Sequence, residues 1–229
     1  AWAGGTLGAL VRWNGTNWAN ALAPPRADLR AFWGYTPSDL WLAGDYSVDT
    51  WRWNGSTWIE QTGCHPHFNS LNRLWGSAPF DLWAVGALTC HWNGSAWSTT
   101  ASTGLTAESV WGTASTDVWA VGPAASGRNA SHWDGVNWTT VSTGTSVVLK
   151  GVWAASADDV WAVGASGTIV RRTGGAWATV PSGTTAQLNA VWGAGANDVW
   201  AVGTGGTLLR VDGTAWSAVA SGTTLDLYA

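Results

Sequence analysis

One polar position recurs on a strand-like phrase in six copies of a repeat: Arg12, Arg52, His91, His132, Arg171 and Arg210. In the first four copies a tryptophan follows it directly, Trp13, Trp53, Trp92 and Trp133, while Arg172 and Val211 stand there in the last two. Guanidinium or imidazole donors beside a flat indole suit a sugar: the donors meet hydroxyls and the indole covers the apolar ring face. These ten residues form the candidate carbohydrate-binding set, in repeated shallow sites along inter-blade grooves. A structural role explains the same regularity, an internal hydrogen bond from each Arg or His to a neighbouring carbonyl.

Other chemistry finds less support. Glu60 and Glu108 are the only glutamates and lie in different copies, whereas glycoside hydrolysis needs two carboxylates facing one sugar. No nucleophile elbow, phosphate-cradling loop or zinc motif occurs, so the chain is not expected to be an enzyme or to use a cofactor. Cys64, His65 and His67 cluster, but no second ligand pair follows, and no metal is expected. Asp39, Asp81, Asp117, Asp159 and Asp198 recur ahead of the phrases VW or LW. They are expected to fix turns by accepting backbone N–H groups. Cys64 and Cys90 are the candidate disulfide, which would stabilise the fold by roughly 3 kcal/mol; two separate thiols are the alternative. Two irregular stretches, AGDYSVDTW with EQTGCHPHFN and GPAASGRNAS around Arg128, break the repeat and are places where binding could be added.

The elements that position these residues follow from the repeat. The phrase DVWAVG and its variants place Trp41, Trp83, Trp119, Trp161 and Trp200 equivalently, with Trp2 in AWAGG as the sixth. Eight residues earlier, without variation, lie Trp33, Trp75, Trp111, Trp153 and Trp192. A fixed interval between two strand-like phrases implies a hairpin whose register cannot slip. A third phrase, RWNGTNW in its first copy, carries Asn-Gly or Asp-Gly at 14, 54, 93, 134 and 212, and Gly174-Gly175 in the fifth copy. This predicts type I′ turns with positive φ at both central residues. Each copy therefore holds four short strands, one propeller blade.

The expected fold is all-β: a single six-bladed β-propeller of four-stranded antiparallel blades. Blade 1 is expected to comprise 1–22 plus 223–229, blade 2 27–62, blade 3 69–101, blade 4 105–143, blade 5 147–182 and blade 6 186–222. The C-terminal segment LDLYA would supply the innermost strand of blade 1 and latch N- and C-terminal strands together. The indoles common to all blades are expected to pack between sheets.

Composition agrees. The 229 residues contain 22 Trp and 30 Gly, no Met, a net charge of −4 and only 10% charged residues. Helix formers are scarce, and strands and turns are favoured. The nine arginines are scattered, which disfavours nucleic acid as a partner, and no apolar run approaches a membrane span. Sequons at Asn14, Asn54, Asn93, Asn129 and Asn137 would be glycosylated only in a suitable host.

The stretch DVWAVGASGTIVRRTGGAWATVP, Asp159 to Pro181, resembles the tectonin repeat of lectin-like propellers, in which a VW strand precedes an I-x-R-R-x-G hairpin and a closing Trp. The other copies keep the VW, the turn and the last Trp. The extra Trp in VWG and the Asp-bearing loop look like Trp-rich propeller repeats of bacterial secreted and surface proteins. Trp133 to Trp138 also matches the WDG-x-x-W phrase of fucose-binding six-bladed lectins, within the hairpin alone. The resemblance implies binding of glycans or cell-surface polysaccharide by a secreted or surface lectin. The alternative is a structural or adhesive module of a larger extracellular assembly, contacting other extracellular proteins or flanking domains.

Overall fold

The computed structural model describes residues 1–5, 8–21, 28–45, 50–64, 71–99, 103–125, 127–213 and 215–228. His65 and His67 lie outside them, as does the centre of the AGDYSVDTW stretch. The protein is an all-β, six-bladed β-propeller, and every strand pair within a blade is antiparallel.

Residues 1–102 and 103–229 form two compact units of three blades each. In the first unit, blade 1 is built from β1 (Trp2–Gly4), β2 (Leu10–Trp13) and β3 (Trp18–Asn20). Blade 2 holds β4 (Asp28–Thr36), β5 (Asp39–Asp45), β6 (Thr50–Trp53) and β7 (Trp58–Gln61). Blade 3 holds β8 (Leu71–Ala78), β9 (Asp81–Gly86), β10 (Thr89–Trp92) and β11 (Trp97–Ser98). In the second unit, blade 4 holds β12 (Ser109–Ala114), β13 (Asp117–Ala125), β14 (Arg128–Trp133) and β15 (Trp138–Val141). Blade 5 holds β16 (Leu149–Ser156), β17 (Asp159–Gly164), β18 (Ile169–Thr173) and β19 (Ala176–Val180). Blade 6 holds β20 (Leu188–Gly195), β21 (Asp198–Gly203), β22 (Leu208–Val211) and β23 (Trp216–Ala218).

The register aligns the recurrent residues in one row across each four-stranded sheet. Trp33 pairs with Trp41 and Trp41 with Arg52; Trp75 pairs with Trp83 and Trp83 with His91. Blades 4, 5 and 6 repeat the row with Trp111, Trp119 and His132, with Trp153, Trp161 and Arg171, and with Trp192, Trp200 and Arg210. Directly opposed residues share a sheet face, so each row presents two indoles and an Arg or His to the same side.

That face is where blades pack. Trp41, Trp83 and Trp161 are fully buried. The closing Trp of the next blade meets the row edge-on: Trp97 on Trp41 at 5.6 Å, Trp177 on Trp119 at 5.5 Å and Trp216 on Trp161 at 5.4 Å between ring centroids. Such edge contacts add to the area each indole buries. Cys64 and Cys90 are joined in a disulfide, both sulfurs buried within the core shared by blades 2 and 3.

One expectation, the geometry of the turns, is corrected. The hairpin turns of blades 1 to 4 and 6 are four-residue loops between paired positions such as Trp13 and Trp18 or Trp53 and Trp58. Only the glycine takes positive φ there, about +97° at Gly55 and Gly135. Asn54 instead accepts the Ser56 and Thr57 backbone N–H groups through Oδ1 at 2.9 Å. Its side chain closes the turn, so its backbone need not be strained. In blade 5 alone a two-residue turn forms, Thr173 pairing with Ala176 across Gly174 and Gly175, both at positive φ.

The chain's last residues also bond to blade 6 within the second unit. The Leu227 N–H donates to Gly203 O at 3.0 Å, and the Asn189 amide donates to Leu227 O at 2.7 Å. Ser221 to Thr223 repeats Ser182 to Thr184, and each segment lies against a glycine in the turn of the blade it leaves, Gly206 and Gly167. Blade 1 has three strands among the described residues.

Candidate functional site

Five of the six recurrent Arg and His residues are each tied to the aspartate of their own blade. Arg52 donates to both Asp39 carboxylate oxygens, at 2.7 and 2.8 Å, and Arg171 to both of Asp159, at 2.7 and 2.9 Å. Arg210 Nε donates to Asp198 at 2.9 Å. His91 Nε2 lies 2.6 Å from Asp81 Oδ1, and His132 Nε2 lies 2.7 Å from Asp117 Oδ1. Each cation also covers the face of its Trp: Arg52 over Trp41 at 5.3 Å, Arg171 over Trp161 at 4.5 Å and Arg210 over Trp200 at 5.0 Å. His91 stacks on Trp83 and His132 on Trp119, both at 4.3 Å. Ion pairing and cation–π contact fix each arginine over its indole, and a hydrogen bond with ring stacking fixes each histidine.

The recurrent aspartates therefore do more than shape a loop: they anchor side chains. The signal was present in the sequence, since Asp and Arg or His recur together in five copies. Burial alone would raise the Asp81 carboxyl, but bonds from His91 and Ser77 outweigh it and hold it below the usual carboxylate range. Asp117 follows the same pattern, with burial opposed by His132, Thr113 and Trp119. The Asp39 bond in turn raises Arg52.

The candidate indoles divide. Trp92 is buried against Trp41 at 5.1 Å, and Trp53 touches Trp2 at 5.9 Å. Trp133 packs beside Trp138 and donates its N–H to Ser115 O at 3.1 Å. Trp13 is exposed beside Trp18. Arg172, which stands where these tryptophans do, lies 5.2 Å over Trp119 and donates to Asp158 at 2.9 Å, so it covers the preceding blade's indole as Trp92 does. Asn129 is fully buried, its amide donating to Thr145 O and Val147 O, so the sequon there is closed to modification in the folded chain.

Described residues line a pocket in the first unit and a groove in the second. In the first unit, Trp2, Arg12, Asn20 and Trp53 line a pocket of about 450 Å³, which brings together two of the candidate residues, Arg12 and Trp53. Arg12 lies 5.3 Å over Trp2, and no carboxylate bonds it among the described residues. In the second unit, a groove of about 510 Å³ runs across the inner-strand turns of blades 4, 5 and 6, walled by Trp111, Trp153 and Ala194 with Thr113, Ser156 and Asp159 at its polar edge. Sequence reasoning missed this groove. It exists because small residues stand two positions after the VW tryptophans, Thr113, Ala155 and Ala194, and only the packing of successive blades reveals what they leave open. Among the described residues no group of three His, Cys, Asp or Glu could hold a metal, and no helix is long and apolar enough to cross a membrane.

Neither a protein-family model nor a curated protein sequence matches the chain. Solved structures do. It is similar to YCF48 bound to a D1 peptide, with 16% identity and a TM-score of 0.77 over 100% of this chain and 82% of that one. Virginiamycin B lyase from Staphylococcus aureus aligns with 14% identity and a TM-score of 0.74, covering 93% of this chain and 77% of the lyase. The WD40 β-propeller domain of Doa1 aligns with 11% identity and a TM-score of 0.74, covering 96% and 78%. These likenesses show the fold. No tectonin or lectin is among these three structures, and at such identities a shared architecture carries no function.

Proposed function

We propose that the chain is a non-catalytic binding propeller, secreted or displayed at a cell surface, that takes an extended segment of a partner protein in the groove over blades 4 to 6. The groove itself carries the reading. It is open along three successive blades, its walls are indole and methyl, its one lining carboxylate, Asp159, is already paired with Arg171, and the Thr113 hydroxyl is bonded to Asp117. Such a surface offers apolar contact without leaving a buried ion unpaired. A propeller of this fold is described bound to a D1 peptide, which agrees with a peptide as ligand. The Cys64–Cys90 bridge supports an oxidising location.

Peptides selected from a displayed library against the protein are expected to shift the indole N–H resonances of Trp111 and Trp153. Trp111→Leu should weaken them about tenfold, as loss of an aromatic anchor does. Selected peptides that perturb other resonances and leave these two unchanged would remove the groove as the site.

The pocket of blades 1 and 2 favours a second reading, carbohydrate. There Arg12 and the Trp2 and Trp53 indoles face one space with the Asn20 amide. A glycan array followed by titration checks it: binding lost in Arg12→Ala sustains this site, and binding unchanged by that substitution dismisses it.

A further inference from the structure

The second unit's groove has an occupied counterpart in the first. In blade 2, Tyr35 stands two residues after Trp33 and reaches across to blade 3, where its hydroxyl donates to Asp81 O at 3.1 Å. Its ring sits 6.2 Å from Trp33, which is itself 6.2 Å from Trp75. Gly76 forms the floor, so close that a Cβ there would run into the Tyr35 hydroxyl. Burial, followed by the charge of Asp81, raises the phenol above its ordinary range, so it stays protonated and remains a donor.

The corresponding places between blades 4 and 5 are Trp111 for Trp33, Trp153 for Trp75, Asp159 for Asp81 and Thr113 for Tyr35, and all four line the groove. What differs is the plug. Thr113 is short and turns back to Asp117 of its own blade, and the seat that Tyr35 fills in blades 2 and 3 is left open. Ala154 replaces Gly76, so its methyl raises the floor and a ring entering from outside rests further out than Tyr35 does. Ser156 supplies a hydroxyl in the groove that no other described residue bonds.

We infer that this groove is a seat for a phenol, the side chain of a tyrosine on the partner segment, whose ring lies against the Trp111 indole as Tyr35 lies against Trp33, with Trp153 beside it, and whose hydroxyl bonds at Ser156. The inference rests on the peptide reading above and adds which side chain anchors the peptide. A ring laid against an indole gains from both burial and ring contact.

The intact chain is titrated with N-acetyltyrosinamide, N-acetylphenylalaninamide and N-acetylalaninamide, and the indole N–H signals of Trp111 and Trp153 are followed by NMR. Saturable shifts are expected with the tyrosine probe in the millimolar range. The phenylalanine probe should bind roughly fivefold more weakly, the value of one neutral hydrogen bond, and the alanine probe should leave the signals unmoved. Thr113→Tyr combined with His132→Arg rebuilds the blade 2 arrangement in blade 4 and should fill the seat from within, abolishing the shifts. Ser156→Ala, at the exposed end of β16, should erase the preference for tyrosine over phenylalanine whether or not the double variant folds. Equal binding of all three probes, or a tyrosine preference untouched by Ser156→Ala, overturns the phenol seat. Library peptides that still shift the same two signals in that case leave the peptide reading standing, and peptides that never shift them overturn both.

Discussion

Blades 2 and 5 close their aspartate with arginine, and blades 3 and 4 close it with histidine. The two solutions differ in geometry. A guanidinium fork fills both carboxylate oxygens at once, as Arg52 does for Asp39 and Arg171 for Asp159. An imidazole reaches only one oxygen, and in both histidine blades a hydroxyl two residues after the VW tryptophan takes the other: Ser77 for Asp81 and Thr113 for Asp117. Where arginine is present that position is released from duty. It is Tyr35 in blade 2, Ala155 in blade 5 and Ala194 in blade 6, and these residues plug or open the face between successive blades. The choice of cation therefore decides which blades are free to vary at the groove.

The largest effect should fall on what both kinds of blade share. Trp83→Ala and Trp161→Ala each remove a fully buried indole, one under His91 and one under Arg171. Each should cost about 3–5 kcal/mol in denaturant unfolding, as large-to-small core substitutions of aromatics do. A cost below about 1 kcal/mol in only one of them would separate the two blade types at their core, against the arrangement described here.

The comparison itself is tested by a double-mutant cycle. Ser77→Ala alone should cost about 1–3 kcal/mol, because it leaves one oxygen of the buried Asp81 without a donor. In a His91→Arg background the guanidinium fills that oxygen, and the same substitution should cost less than about 0.5 kcal/mol. Equal costs in both backgrounds would show that Ser77 does not complement the imidazole.

Acid should reveal the histidine blades next. The folded Asp81 and Asp117 carboxyls lie below their ordinary range, so their contribution to stability is complete above the unfolded-chain value, about 3.9. It is lost as pH falls through the lower folded value. Denaturant unfolding between about pH 5 and pH 2 should show a decline that is shallower in Asp81→Asn with Asp117→Asn. An identical slope would mean that these carboxylates are no better stabilised in the folded chain than outside it.

How much of this was legible beforehand follows from the range of the interactions. Strand order, blade number and the packing role of the common indoles rest on short-range periodicity, and six copies of one phrase make that plain. The Asp–cation pairs were also within reach, since both partners recur in step; reading Asp39 and its counterparts as loop residues hid them. The turns were misread for a local reason, because Asn-Gly satisfies a four-residue loop through the Asn side chain as readily as a two-residue turn through its backbone. The groove was out of reach. Its walls come from three blades, and the residue that defines it, Thr113, matters only because Tyr35 shows what its seat can hold.

The smallest effect concerns a residue that breaks the indole pattern without loss of contact. Trp92 covers Trp41 of the preceding blade at 5.1 Å, and in blade 5 Arg172 covers Trp119 at 5.2 Å while reaching Asp158 and Ala157 O. Asp158 lies on an exposed turn and accepts the Gly174 and Gly175 N–H groups, which lower its carboxyl below the ordinary range whether or not Arg172 is charged. Arg172→Trp should exchange one cover for another and move stability by less than about 1 kcal/mol, the scale of an exposed ion pair. A loss above about 2 kcal/mol would assign Arg172 an anchoring role comparable to that of Arg171, and the distinction between the buried row and its outer cover would fail in this blade.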